Sequence, residues 1–258
     1  MKKFKLTTRT KEHFGITLYQ IQATKDFGNV EKGDVGGWVE KEDNLSQDDN
    51  AWVCDNAWVY DNARVYGDAR VYDNASVYGD ARVYGNAWIS DNAWVYGNVW
   101  VSGDARVYDN ARVYGDARVY GNARVYGDAR VYGNACVYGN ARVYGNAWVS
   151  GDARVSGDAC VYGDACVYGD ARVYGDAWIS GDARVSGDAM VYGDLKLIGG
   201  YFYHTKEKTE EIEKIEISDN CEILCSEPKL EEEEEMVEID GKKWSTSTIK
   251  EALKQHAN

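Results

Sequence analysis

The chain has 258 residues, of which 43 are acidic and 29 basic, so its formal net charge is −14 at pH 7. This acidic balance argues against duplex nucleic acid as a partner, because contacts to phosphates require a basic surface. No apolar run approaches the roughly 20 residues that span a bilayer, and the N-terminal Met-Lys-Lys precedes polar residues instead of an apolar signal core. We therefore expect a cytoplasmic protein that does not contact a membrane.

Residues 1–44 form the first segment of the chain and contain no repeat. The stretches FKLTT and ITLYQIQAT alternate as β-strands do, and three glycines then lead into Trp38 and Val39. The residues that follow repeat in a way that is typical of a solenoid, and a solenoid needs its open end covered. We therefore predict that residues 1–44 form a small N-terminal β cap.

One six-residue phrase, Ala-x-Val-Tyr-Gly-Asp/Asn, recurs without insertion from Ala51 to Leu195 and gives 25 hexads. Within a hexad, Ala and Val fall on one face of a short strand, while x and Tyr fall on the other. Gly-Asp or Gly-Asn supplies a corner, because Gly and Asn tolerate a positive φ. Three strands and three corners make the smallest prism that Val and Ala can fill. We predict an all-β solenoid, a triangular parallel β-helix of about eight coils over residues 45–198.

The spacing of aliphatic and small residues resembles the hexapeptide repeat of left-handed β-helix proteins, and this resemblance implies left-handed coils. Such proteins include acyltransferases, which use a histidine base and a loop that interrupts the coils. Here His13, His204 and His256 lie outside the array, and no loop interrupts it. We therefore predict no enzymatic activity, no catalytic residue, no cofactor and no metal.

Residues 18 apart should stack in columns on the outside of the solenoid. Trp, Tyr and Arg dominate these outward slots, and the same residue types are enriched at the centres of protein interfaces. Trp88, Trp100, Trp148 and Trp178 are each followed two positions later by Ser, which would keep the surface level. The alternative is that the ladders only stiffen the sheets. The predicted interaction surface consists of Trp88, Trp94, Trp100, Trp148, Trp178, Arg106, Arg124, Arg142, Tyr108, Tyr126 and Tyr144.

The corner slot is always Asp from Asp152 to Asp194, whereas earlier corners mix Asn and Asp. We interpret these carboxylates as solvated corners, because a calcium cage also needs converging carbonyl oxygens. The six cysteines show no regular framework and are predicted to be free thiols in a reducing compartment. They are Cys54, Cys136, Cys160, Cys166, Cys221 and Cys225.

Residues 199–258 form the predicted C-terminal segment, an α+β tail with an acidic spacer. Tyr201, Phe202 and Tyr203 are expected to close the far end of the solenoid. The run 231–235 reads as the spacer, MVEIDGKKWS reads as a hairpin with an Asp-Gly turn, and a helix should begin near Thr248. This module could fold back, pair with another copy or bind something else. Its candidate binding residues are Trp244, Ile249 and Leu253.

The opening KLTTRTKEHFGITLYQIQATKDFGNVEKGDVGGWVEKEDNLS, the AxVYG[DN] array and the tail IDGKKWSTSTIKEAL together resemble a family of phage and prophage proteins often described as polymer-forming. The resemblance covers almost the whole chain and implies a location in the host cytoplasm, but it transfers no binding residues. We predict a non-enzymatic, phage-type binding protein: a rigid rod that engages a host or self protein partner and could block or sequester a host defence component. A homo-oligomer is compatible with this function. The alternatives are a structural polymer and the sequestration of a small, nucleotide-like anion between protomers.

Overall fold

The computed structural model describes residues 2–204, together with the backbone of residues 236–239 and 242–245. The chain divides into two compact units, Met1–Glu216 and Ile217–Asn258. The first unit is an all-β parallel solenoid behind an antiparallel cap, which confirms the predicted fold class. Its only described helix is a single 3-10 turn, Glu42–Asn44.

The N-terminal cap is built from the two predicted strands and a third one. Strand β1 (Phe4–His13) pairs antiparallel with β2 (Ile16–Ala23), and β2 pairs antiparallel with β3 (Val35–Val39). Strand β3 then runs parallel to the first strand of one solenoid sheet. At Gly36 a Cβ atom would lie 2.5 Å from the Val53 carbonyl oxygen, so only glycine permits this close approach. The cap is therefore continuous with the solenoid.

Three parallel sheets enclose the solenoid, and we name them face 1, face 2 and face 3. Face 1 begins with β3, ends with a four-residue strand, and is extended by β1 and β2 to twelve strands in all. Its other strands are β5 (Trp58–Val59), β8 (Ser76–Tyr78), β11 (Trp94–Gly97), β14 (Arg112–Gly115), β17 (Arg130–Val131), β20 (Trp148–Val149), β23 (Cys166–Val167), β26 (Arg184–Gly187) and β29 (Tyr201–His204).

Faces 2 and 3 contain eight and nine strands. Face 2 consists of β6 (Arg64–Val65), β9 (Arg82–Val83), β12 (Trp100–Val101), β15 (Arg118–Val119), β18 (Cys136–Val137), β21 (Arg154–Val155), β24 (Arg172–Val173) and β27 (Met190–Val191). Face 3 consists of β4 (Trp52–Val53), β7 (Arg70–Val71), β10 (Trp88–Ile89), β13 (Arg106–Val107), β16 (Arg124–Val125), β19 (Arg142–Val143), β22 (Cys160–Val161), β25 (Trp178–Ile179) and β28 (Lys196–Leu197).

The register of every pair within the hexad array is 18 residues, as the three-sided coil requires. On face 3, for example, Arg106 lies beside Arg124, and the Arg106 N–H donates to the Ala123 carbonyl oxygen at 2.9 Å. The solenoid makes about nine turns instead of about eight, because β3, Leu45 and β29 extend the array beyond its hexads. Leu45 bridges Val65 and β29 pairs with β26, both in parallel.

The interior of the solenoid is a single column of small apolar side chains. The Ala and Val slots of the middle coils, from Ala51 to Val185, are fully buried. Where glycine occupies the corner slot, it meets two requirements, because it adopts a positive φ and because successive corners stack closely. Five corners use Asp with a positive φ instead, at Asp55, Asp61, Asp73, Asp91 and Asp109. A Cβ atom on Gly103 would lie 2.9 Å from the Gly121 nitrogen. The sequence of the hexad varies little, because each residue packs against the residue in the same slot 18 positions later.

At the far end of the solenoid, only one of the three predicted closing aromatics points inward. Phe202 pairs with Val185 and packs against the core, whereas Tyr201 and Tyr203 are 62% and 58% exposed. The reason is the strand alternation, which places every second side chain outside. The expectation that all three residues close this end was therefore wrong for the two tyrosines.

The second unit contains the predicted hairpin, formed by β30 (Met236–Ile239) and β31 (Lys242–Ser245). Ile239 pairs with Lys242 in this antiparallel ladder, and the predicted Asp-Gly turn lies outside the described residues. Trp244 belongs to β31. The acidic spacer, the helix near Thr248, Ile249 and Leu253 lie outside the described residues.

Candidate interaction surface

The predicted interaction surface is divided among the three faces of the solenoid. Face 1 carries Trp94 and Trp148, and face 2 carries Trp100. All other members lie on face 3, which makes this face the main candidate surface. They are Trp88, Trp178, Arg106, Arg124, Arg142, Tyr108, Tyr126 and Tyr144.

A ladder of stacked phenol rings runs along face 3. The ring centroids of Tyr108, Tyr126, Tyr144 and Tyr162 are 4.8, 4.8 and 4.9 Å apart, with interplanar angles of 3°. Each of the first three phenols has a raised pKa, chiefly because burial disfavours the phenolate. For Tyr108 and Tyr144, the neighbouring phenol Tyr126 is the next cause. The rings are therefore ordered by their neighbours and present mainly their edges to solvent.

Tryptophan interrupts the ladder wherever serine replaces tyrosine. The Trp178 indole stands at 81° to the Tyr162 ring, with 6.2 Å between centroids, and Ser180 is only 6% exposed. Trp88, Tyr72 and Ser90 repeat this arrangement. The indole therefore tilts out of the Arg column and covers the serine, which occupies the neighbouring Tyr column. This geometry accounts for the two Trp-Ser pairs of face 3, whereas on face 1 Trp94 is followed by Tyr96.

Six arginines of the faces lie over aromatic rings, and no face arginine forms an ion pair in the described part of the chain. The Arg106 guanidinium lies 4.7 Å from the Trp88 ring centroid, and Lys196 Nζ lies 5.0 Å from that of Trp178. The ion pairs within residues 2–204 involve Lys2 and Lys3. Face 3 therefore exposes arginine charges that no neighbouring carboxylate neutralises.

The corners carry polar ladders that run parallel to the solenoid axis. Beside face 3, Asn122 Nδ2 donates to Asn140 Oδ1 at 3.0 Å, and Asn140 Nδ2 donates to Asp158 Oδ1 at 2.8 Å. A carboxylate cannot donate in turn, so this ladder ends at Asp158, which belongs to the all-Asp corners from Asp152 to Asp194. No group of residues within the described part of the chain is arranged to hold a metal ion.

A second aromatic cluster lies on face 1 and was missed by sequence reasoning. Lys11 Nζ is 4.2 Å from the Trp38 ring centroid, and the His13 ring is 4.4 Å from that of Trp58 and 5.5 Å from that of Tyr60. The end of the β1–β2 hairpin therefore covers the first outward slots of face 1. The length of β1 is the only sequence feature that could have indicated this contact between the hairpin and face 1. The cap has no repeat from which a register could be derived.

The four described cysteines are free, as predicted, and burial disfavours the thiolate form of three of them. Burial raises the pKa of Cys54 to about 12, and it also raises the pKa values of Cys160 and Cys166. These thiols are protonated near neutral pH, and the thiolate is the reactive form. Cys221 and Cys225 lie outside the described residues.

Comparison with known proteins agrees with this architecture. No helix within the described residues is both long and apolar enough to cross a bilayer. A comparison with curated proteins found no match. The family model described as "YdcK Beta solenoid repeat" matches overlapping segments of the array, namely residues 57–73, 63–79, 75–90, 87–103, 105–121, 117–133, 123–137, 129–145, 135–151 and 165–181. Together with the three parallel sheets, these matches identify the chain as a repeat β-helix protein.

Proposed function

We propose that this chain is a non-enzymatic binding protein that presents face 3 to a protein partner, either from the host or a second copy. The observation that carries the proposal is the exposed Arg-Tyr-Trp surface, whose side chains are ordered by stacking at a 4.8 Å repeat. Side chains ordered before binding lose little conformational entropy when a partner docks. Arg, Tyr and Trp also contribute most of the affinity in many interfaces.

The non-enzymatic character is supported by the chemistry of the described residues. Cys54 has a strongly raised thiol pKa, and His13 lies in the cap against aromatic rings. The resemblance to phage and prophage proteins extends the proposal to the host cytoplasm. There, a surface of this kind would occupy and so block or sequester a host component, including one that serves in defence.

The two alternatives have less support. A head-to-tail polymer requires open ends, and the cap strands β1 and β2 extend beyond the first coil at one end. A small anion between protomers would need a deep basic recess. The shallow depression nearest to this description is on face 2 and is lined by Asp43, Ser46, Arg64 and Arg82, among others.

Capture from bacterial lysate tests the proposal. The face-3 variant carries Trp88→Arg and Trp178→Arg, and the matched control carries Trp94→Arg and Trp148→Arg on face 1. The solenoid already uses Arg at these slots, as at Arg106 and Arg130, so both variants should keep the fold. We expect the wild type and the control to retain the same protein, identified by mass spectrometry. The face-3 variant should retain at least tenfold less of that protein. Equal retention by all three would contradict the proposal, and no specific retention would rule out the host partner and leave a second copy of the chain.

A further inference from the structure

The first coil of the solenoid has no complete coil before it to donate hydrogen bonds to its carbonyl oxygens. Within the array, the N–H groups of one coil donate to the next, as the Arg70 N–H does to the Ala87 carbonyl oxygen at 2.9 Å. The cap strands continue only face 1, where the Trp38 N–H donates to the Ala57 carbonyl oxygen at 2.9 Å. The corresponding carbonyl oxygens before face 2 and face 3 need other donors, because buried backbone carbonyls are seldom left unpaired.

At the corner before face 3, the donor is the ammonium group of Lys3. Its Nζ donates to the carbonyl oxygens of Asp49 at 2.9 Å and Ala51 at 2.7 Å, and the residue is only 1% exposed. Two coils later, the same slots are Gly85 and Ala87, whose carbonyl oxygens accept from backbone N–H groups of the preceding coil at 2.8 and 2.9 Å. One side-chain group therefore replaces two backbone donors.

At the corner before face 2, the side-chain amide of Asn44 makes the same two contacts. Asn44 is fully buried, and its Nδ2 donates to the carbonyl oxygens of Asp61 at 3.1 Å and Ala63 at 2.9 Å. These two residues lie two hexads after Asp49 and Ala51, so they occupy the same slots of the repeat. An ammonium and an amide from different parts of the chain thus end two faces in the same way.

Further contacts hold both donor groups in position. Asp49 Oδ1 lies 3.5 Å from Lys3 Nζ and pairs with its charge, as a buried ammonium requires. The Gln47 side chain accepts from the Lys3 backbone N–H at 2.7 Å, so the main chain is fixed as well. Asn44 Oδ1 accepts from the Lys41 N–H at 2.9 Å, which turns the amino group of the amide toward the first coil. Neither donor can leave its carbonyls without breaking several hydrogen bonds.

We propose that Lys3 and Asn44 are end-blocking residues, which close faces 3 and 2 to the addition of a strand from another chain. Each side chain occupies the acceptor groups that an incoming strand would use. This end of the solenoid is distinct from the exposed side chains of face 3, so the block and the proposed function can be tested separately. Because each coil contacts only its neighbours, loss of a block should open the first coils and leave the middle coils unchanged.

Hydrogen exchange of the full chain, measured by mass spectrometry, tests the two residues one at a time. Lys3→Met removes all three donors, and Asn44→Asp replaces the amino group by an oxygen that cannot donate when ionised. We expect Lys3→Met to speed exchange at least tenfold around Trp52, whose N–H donates from the first coil on face 3. Asn44→Asp should have the same effect around Arg64 on face 2. Exchange around Arg142, in the middle of the solenoid, should not change.

The matched controls are Lys5→Met and Asn86→Asp. They change an exposed lysine two residues after Lys3 and an exposed corner amide that donates to Asp104 Oδ1. Both controls should exchange like the wild type. Exchange that stays unchanged in the first coils, or that rises equally in all coils, would overturn the inference.

Acetylation of the wild type gives a second measurement that does not depend on the folding of a variant. At a limiting dose of an amine-reactive acetyl ester, Lys3 should be labelled at least tenfold less than Lys5 and Lys32, which are exposed. Equal labelling of the three amines would show that Lys3 is not engaged by the first coil and would overturn its blocking role.

Sedimentation of a double variant tests the block itself. Lys3→Met combined with Asn44→Asp should form larger species than the wild type, because uncovered strand edges pair with other chains. These species should persist at about 0.5 M NaCl, since salt screens ion pairs and not backbone hydrogen bonds. The combination of Lys5→Met with Asn86→Asp should keep the size of the wild type. A Lys3→Met, Asn44→Asp variant of wild-type size would show that these side chains do not block strand addition.

Discussion

Each slot of the hexad has one physical role, and the outward slots are coupled in pairs. On face 3, Arg goes with Tyr, as at Arg142 and Tyr144, and Trp goes with Ser, as at Trp178 and Ser180, whereas on face 1 Trp94 is followed by Tyr96. The structure gives the reason, because the indole occupies the space above the serine that a tyrosine ring would need. Substitutions within a pair should therefore not be additive.

A double-mutant cycle at one pair measures this coupling. Ser180→Tyr alone should lower the free energy of unfolding by about 1–3 kcal/mol, because two large rings compete for one site. Adding Trp178→Arg should recover most of this loss, because it recreates the Arg-Tyr combination of the neighbouring coils. Urea unfolding of the wild type, both single variants and the double variant gives the coupling free energy. Additive effects would show that the indole does not occupy the serine position.

At the scale of a structural element, the tyrosine ladder of face 3 links stability to alkaline pH. Burial, followed by the neighbouring phenol Tyr126, raises the pKa of Tyr108 above its ordinary value of 10.0. Because the folded-state pKa is the higher one, this group's contribution to stability is complete below about pH 10 and is lost as the pH rises through the folded-state value. The same sign holds for Tyr126 and Tyr144.

We expect phenolate absorbance near 295 nm to appear at higher pH in the folded protein than in urea. The free energy of unfolding should fall progressively above about pH 10. Tyr126→Ser should move the titration of the remaining ladder toward lower pH, because it removes both cover and a neighbouring phenol. Tyr66→Ser on face 2 serves as the matched control and should leave the face-3 tyrosines unchanged. Coincident titrations in the folded and urea-unfolded protein would contradict the prediction.

At the scale of the whole molecule, the cap completes the solenoid by continuing face 1. Phe4 and Ile21 are fully buried and belong to the same apolar core as Val39 and Val53. Removing β1 and β2 would uncover this apolar surface and the hydrogen-bonding edge of β3. Uncovered strand edges pair with other chains.

Deletion of residues 2–34 tests the role of the cap. Burial of a large apolar side chain contributes roughly 1.5–3 kcal/mol, so loss of Phe4 and Ile21 should lower the thermal midpoint markedly. Light scattering should detect species larger than those of the full chain that persist in high salt. The control is Phe14→Ser, at a hairpin-turn residue that is 94% exposed, and it should behave like the wild type. An unchanged particle size for the deletion variant would contradict a capping role.

The sequence predicted the solenoid, its 18-residue register and the columns of face 3, because an uninterrupted repeat determines which residues stack. It also predicted the cap strands, but not that the hairpin end of β1 places Lys11 and His13 against Trp38 and Trp58. That contact depends on a tertiary path with no periodic signal. The 18-residue register also assigns Trp88, Trp94 and Trp100 to three different faces, and which of these faces binds a partner stays a prediction.

The 18-residue register also limits how such a chain can change in length. Gaining or losing three hexads adds or removes one whole coil and leaves every downstream residue on its original face. Gaining or losing a single hexad moves each later column one third of a turn around the axis, so Arg124 and Arg142 would shift from face 3 to a different face than Arg106. Duplication in the gene is therefore neutral for the surface pattern only when it adds whole sets of three hexads.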